Sequence, residues 1–174
     1  MPATRGSVWK LFGSTLDVPA DCSKLREALQ RTLDLLGAPL DLGLRVQVSS
    51  ELLRGKGLAS STADIAAGVA ALGGLLGRDF TPRELASVAL QVEPTDGLMF
   101  PGLACFDHRR GTWQESLGSP PPMELLVFDA GGEVDTLDFQ RARGAGPAQP
   151  GQGRPRCERP WPSSGRESKR AGRR

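Results

Sequence analysis

The stretch GKGLASSTADIAAGVAALGG, Gly55 to Gly74, is a short loop of glycine, alanine and hydroxyl residues that runs straight into a helical pattern. A helix N-terminus leaves backbone N–H groups without partners and carries a partial positive charge. Small residues ahead of it let an anion approach the backbone closely. Gly55, Gly57 and Ala59 supply that room, with Leu58 between them. Ser60, Ser61 and Thr62 supply hydroxyls for phosphate oxygens or a magnesium ion, and Lys56 adds a positive charge. The loop is not of the GxxxxGK[ST] type, because the lysine precedes the serines in the wrong order and spacing. Serine and threonine are also good helix N-caps, so a plain cap remains the alternative on spacing alone.

Downstream of the loop, residues 61–76 are small or apolar on nearly every side, which predicts a buried helix closed by Gly77. TPRELASVALQVE opens with a capping box of Thr81, Pro82 and Glu84 and predicts a helix to about Val92. Upstream, Leu25, Ala28, Leu29, Leu33 and Leu36 recur at three and four residues. They predict an amphipathic helix over 21–36, ended by Gly37 and Pro39. LGLRVQVSS alternates Leu44, Val46 and Val48 against Arg45 and Gln47 and reads as a half-buried strand. GLACFDH and TWQESL flank the turn RRG as a hairpin, and ELLVFDAGG reads as an inner strand ended by glycines. Residues 1–20 have too weak a periodicity for an assignment.

The chain has 174 residues, 39% of them hydrophobic, enough for one domain with a core. No apolar run approaches the roughly 20 residues of a membrane helix, and MPATRGSVWKLFGS lacks the apolar stretch of a secretory signal. The three cysteines, Cys22, Cys105 and Cys157, show no paired spacing. With a single histidine, His108, the composition points to a reducing, cytoplasmic setting without a disulfide framework or a zinc site. The net charge of +2 hides a division: residues 1–140 hold 12 Lys and Arg against 18 Asp and Glu, and residues 141–174 hold 10 against 2. The second segment has six Gly, five Pro and nine Arg and almost no aliphatic side chains, so it is expected to be a disordered basic tail.

A second constellation is QVEPTDGLMFPGLACFDH, where Glu93 and Asp96 stand at a predicted helix end in a Pro/Gly loop. A magnesium–nucleotide enzyme needs a carboxylate for the metal and often another to orient or deprotonate the attacking hydroxyl. Acidic residues also simply solvate loops, and that reading stands beside the first.

Taken together, GKGLASSTADIAA, EPTD and GLACFDH resemble the GHMP superfamily of small-molecule kinases, which includes galactokinase, homoserine kinase, mevalonate kinase and phosphomevalonate kinase. Gly57 to Thr62 takes the place of that family's GLGSSA loop, with alanine for the middle glycine and threonine for the final alanine. The branch of L-threonine kinases that serve cobalamin biosynthesis is more similar still. KGLASSTADIAA, EPTD, FDH and AGGEVDT (Ala130–Thr136) follow in that branch's order.

The resemblance implies an α+β fold, the ribosomal protein S5 domain 2-like N-terminal domain of GHMP kinases, incomplete, over residues 1–140. It implies ATP and Mg²⁺ as cofactors, with Lys56, Gly57, Leu58, Ala59, Ser60, Ser61 and Thr62 around the phosphates. Ser60 and Glu93 would hold the metal, and Asp96 would orient, deprotonate or bind the acceptor. The implied reaction is ATP + L-threonine → ADP + O-phospho-L-threonine, with homoserine the nearest rival acceptor. No membrane partner is implied, a nucleic-acid partner is disfavoured, and self-association is expected through the face that would meet a second domain. Two departures stand out. The first residues do not match the family's PASCGELIQG-like strand, and nothing after Gln140 resembles its glycine-rich third motif. Residues 141–174 therefore read as a shifted-frame product through GC-rich DNA, with an impaired kinase as the consequence. The competing expectation is a non-catalytic nucleotide- or nucleic-acid-binding remnant with a basic tail.

Overall fold

A computed structural model of the chain describes residues 4–11, 13, 15–38 and 42–133. The expected tail, residues 141–174, lies outside the described residues. Eight elements follow one another: β1 (Thr4–Leu11), β2 (Leu16–Asp17), α1 (Ser23–Leu36), β3 (Gly43–Ser50), α2 (Ser60–Leu75), α3 (Pro82–Leu90), β4 (Leu103–Phe106) and β5 (Gln114–Gly118).

β3 is the middle strand of a three-stranded sheet. It pairs antiparallel with β1 from Thr4↔Ser50 to Leu11↔Gly43, and parallel with β2 through Leu16↔Leu44 and Asp17↔Arg45. The predicted alternation holds, since Leu44 and Val46 are buried while Arg45 and Gln47 face out. α2 packs on this sheet and α1 packs on α2. Leu25 and Leu29 of α1, Leu44 and Val46 of β3, and Ile65, Val69 and Leu72 of α2 share one core with Val88 and Ala89 of α3.

The small residues of α2 have a packing reason. A Cβ on Gly6 of β1 would lie 2.5 Å from the Ala67 carbonyl oxygen, and one on Gly68 would lie 2.4 Å from Leu25 Cδ1. Helix and sheet therefore approach more closely than ordinary side chains permit. α1 ends in left-handed Gly37, whose N–H bonds to the Asp34 carbonyl at 3.1 Å. The predicted capping box of α3 is formed: Thr81 Oγ1 accepts from Glu84 N, and Glu84 Oε2 accepts from Thr81 N.

Three parts of the reading change. β1 occupies part of the stretch left unassigned: TRGSVWKL lacks a regular apolar alternation, and the pairing with β3 makes it a strand. β4 and β5 form the expected hairpin, but the first strand stops at Phe106, so Asp107 and His108 belong to the turn. ELLVFDAGG is not an inner strand. Leu125 and Phe128 are 83% and 84% exposed, and the run carries no strand pairing. Apolar content alone does not make a strand, because the backbone needs a neighbouring ladder and no described strand lies beside it.

Candidate active site

The loop and α2 open onto a cleft of about 710 Å³. Its floor is the N-terminus of α2. Ala59, the N-cap, holds the left-handed conformation (φ 56°) and supplies no side-chain cap. The hydroxyls of Ser60, Ser61 and Thr62 do not cap the helix either, which disfavours the plain-cap alternative. The first intrahelical bond is Ala63 N–H to the Ala59 carbonyl at 2.9 Å, so the N–H groups of residues 60–62 are not consumed by the helix. A strained non-glycine residue at such a point fits a loop shaped for a ligand.

Glu93 lies just beyond α3 and is only 3% exposed. Ser61 Oγ donates to its Oε1 at 2.6 Å, and Lys24 Nζ on α1 donates to its Oε2 at 2.7 Å. A carboxylate so deeply buried is tolerable only with such partners. Beside it, Thr95 Oγ1 donates to Thr62 Oγ1 at 3.0 Å, and Thr95 N–H bonds to the His108 carbonyl at 2.9 Å. The EPTD and FDH segments are thus joined to the loop helix by hydrogen bonds.

The predicted site residues separate into groups. Ser60, Ser61, Gly57 and Ala59 line the cleft, and so does exposed Asp96. Leu58 lines it too and is partly exposed. Thr62 also reaches the cleft, but its hydroxyl is buried and taken by Thr95. The hydroxyl that meets Glu93 is that of Ser61, not Ser60. Lys56 is committed elsewhere: its ammonium donates to Asp129 Oδ1 at 3.0 Å and to the Gly132 carbonyl at 2.8 Å. That pairing, together with the Gly131 N–H, holds the Asp129 carboxyl below its ordinary value. It also brings residues 129–133 against the loop, where Glu133 joins the cleft wall.

Sequence reasoning missed Lys24, Arg54 and Asp64. Arg54 donates to Asp21 Oδ2, to Cys22 Sγ at 3.2 Å and to Asp64 Oδ2 at 3.2 Å. Burial pushes the Cys22 thiol up, and it pushes the Asp64 carboxyl up as well. A carboxylate in an otherwise apolar helix was the available signal for Asp64. For Lys24, on an amphipathic helix far from the loop in sequence, there was none.

The donor set suits a small hard cation. Glu93 and Ser61 offer oxygen ligands, and among the described residues no group of three or more His, Cys, Asp and Glu side chains forms a protein-only metal cage. Magnesium commonly takes one or two carboxylates and completes its shell with phosphate and water. Glu93, Ser61 and the neighbouring Ser60 would hold it here.

The uncapped end of α2 lines the cleft, and the buried carboxylate of Glu93 is tied to it through the Ser61 hydroxyl. Residues 23–101 match the model of the GHMP kinases N terminal domain. The chain is 40% identical over 98 residues to the L-threonine kinase of Salmonella typhimurium, covering 56% of this chain and 33% of that protein. It is 36% identical over 104 residues to the L-threonine kinase of Citrobacter freundii, covering 60% and 36%. The chain thus spans about a third of the length of the curated relatives it matches. A crystal structure of mevalonate kinase superposes with a TM-score of 0.45 at 17% identity, over 50% of this chain and 35% of that one. Among the described residues no helix is long and apolar enough to cross a membrane.

Proposed function

We propose that this chain carries the ATP-binding half of a kinase that phosphorylates the hydroxyl of L-threonine, giving O-phospho-L-threonine for cobalamin biosynthesis. The observation that carries the reading is the Ser61–Glu93 hydrogen bond of 2.6 Å at the uncapped end of α2. A hydroxyl at the helix end joined to a buried carboxylate supports a combined phosphate and magnesium site there. The N–H groups and hydroxyls of Ser60 and Ser61 would bind the ATP phosphates, and Glu93 would bind the magnesium. When bound, the metal neutralises charge on the phosphates. Asp96, at the exposed side of the cleft, faces the acceptor hydroxyl as a ligand or proton acceptor. The chain's own contribution to phosphoryl transfer is in-line positioning and charge compensation. The curated relatives named L-threonine kinase support threonine as acceptor over homoserine.

The test is nucleotide binding to the full chain by calorimetry, with and without Mg²⁺. MgATP affinity that falls in both Ser61→Ala and Glu93→Ala supports the reading. Wild-type chain that binds no nucleotide refutes it. Binding without turnover of threonine, homoserine or mevalonate reduces the chain to a nucleotide-binding domain.

A further inference from the structure

Asp64 is the only charged residue of α2, and it is 6% exposed. Its Oδ2 accepts from Arg54, while its Oδ1 has no hydrogen-bond partner, the one such buried side-chain atom among the described residues. A buried acceptor left without a donor is costly, and a native chain that keeps one usually has a use for it. Arg54 does not discharge the cluster, because its single cation is shared between Asp64 and Asp21. The cleft as a whole shows the same sign. Asp21, Asp64, Asp96 and Glu133 line it against Lys24 and Arg54.

Asp64 stands one helical turn beyond Ser60 on the same face. Its carboxylate therefore sits beside the N–H groups proposed to hold phosphate, where a second anion is repelled. The missing partner must donate a hydrogen bond, and a positive charge complements the site best. Resting on the kinase reading above, the participants are a nucleotide, a magnesium ion and an amino acid. Of these, only the amino acid's α-ammonium is a compact cation bearing N–H donors. In a β-hydroxy amino acid that ammonium is two carbons from the hydroxyl to be phosphorylated, so both fit beside the same helix end. We propose that Asp64 Oδ1 is the subsite for the α-ammonium of the acceptor, with Arg54 as the positioning residue that fixes the carboxylate.

The test is calorimetric binding to the full chain in the presence of MgADP. Two acceptor probes are compared: L-threonine and 3-hydroxybutyrate, which keeps the hydroxyl, methyl and carboxylate but lacks the ammonium. Wild type is expected to prefer threonine by about tenfold or more, and Asp64→Asn to remove that preference while leaving MgADP affinity within about twofold. Unchanged threonine affinity in Asp64→Asn overturns the proposal. So does a loss confined to MgADP, which assigns the oxygen to a ribose hydroxyl instead. If the variant fails to fold, the wild-type comparison decides alone: no preference for threonine overturns the subsite. Wild-type chain that binds MgADP without that preference refutes the subsite and leaves the kinase reading standing. Wild-type chain that binds no MgADP refutes both.

Discussion

Ser61 on α2 and Glu93 in the segment after α3 meet through one short hydrogen bond, Ser61 Oγ to Glu93 Oε1 at 2.6 Å. Helix α2 and the segment after α3 are fastened there and again at Thr62–Thr95, 3.0 Å apart. Glu93→Gln keeps the shape and can still accept from Ser61, but it loses the charge that a divalent ion needs. The expected result is a fall of about tenfold or more, ~1.4 kcal/mol, in the Mg²⁺-dependent part of nucleotide affinity, with little change in metal-free binding. Calorimetry at two magnesium concentrations measures it. Equal magnesium dependence in wild type and variant sinks the assignment.

Lys24 bears on the same carboxylate from the other side. Its ammonium stands 2.7 Å from Glu93 Oε2, with the lysine side chain 32% exposed and the glutamate side chain 2% exposed. Removing one partner of a fully buried pair costs about 3–5 kcal/mol. Solvent reaches the lysine here, so Lys24→Met is expected to cost about 2 kcal/mol in urea unfolding. The vacated carboxylate then lacks its competitor. Mg²⁺ alone should raise the Tm of Lys24→Met by more than it raises that of wild type. Equal shifts would mean that Lys24 and the metal do not share a site.

What was legible in the sequence follows from how local each signal is. The capping box of α3, the Gly37 stop of α1 and the alternation of β3 are written in neighbouring residues and appear as read. The loop at Gly55 was legible as a helix entry, and the resemblance grouped Glu93 with Ser60, whereas the contact is with Ser61. Lys24 and Arg54 were not legible, because their partners come from distant segments that only the packing of α1 on α2 brings close. Lys56 shows the converse. Its position in the loop suggested a phosphate contact, and here its ammonium pairs with Asp129 at 3.0 Å.

Ala59 stands where the family loop has glycine, and it holds φ 56°. The left-handed conformation costs a non-glycine residue roughly 1–2 kcal/mol. Glycine relieves that strain but gives back ~0.4–1 kcal/mol through its freer unfolded chain. Ala59→Gly is therefore expected to stabilise the chain by about 0.5–1 kcal/mol, and Ala59→Val to destabilise it by more than 1 kcal/mol, since β-branching suits this conformation least. Urea titrations check both. A destabilising Ala59→Gly would show that the loop is not strained.

The run Leu125–Phe128 leaves large apolar side chains in water, with Leu126 at 80% exposure. Contiguous exposed apolar surface promotes association. Sedimentation of the full chain should show mass rising with concentration, and Leu126→Lys with Phe128→Lys should lower it. A wild-type chain that stays monomeric across the range refutes the expectation.

Asp107 opens the turn between β4 and β5, and its carboxyl is lowered from 3.8 to about 2. The main cause is the Thr112 hydroxyl, which donates to Oδ2 at 2.7 Å, followed by the backbone N–H groups of Arg110, Arg109 and Thr112. A carboxylate whose folded value is depressed contributes stability that is present above its unfolded value and lost as protons bind. The folded chain binds fewer protons than the unfolded chain in this window, so stability falls as pH drops from about 4 to about 2. The turn also supplies the His108 carbonyl that holds Thr95 N–H, so loosening it should reach the Glu93 segment. Asp107→Asn keeps one acceptor oxygen and abolishes the titration. Its stability should therefore lie below that of wild type at pH 6, and the gap should close between pH 4 and 2. Unfolding curves across that range, with a carbon-13 titration of the Asp107 carboxyl, measure both halves of the claim. A gap that is constant with pH would show that this carboxylate does not couple to folding.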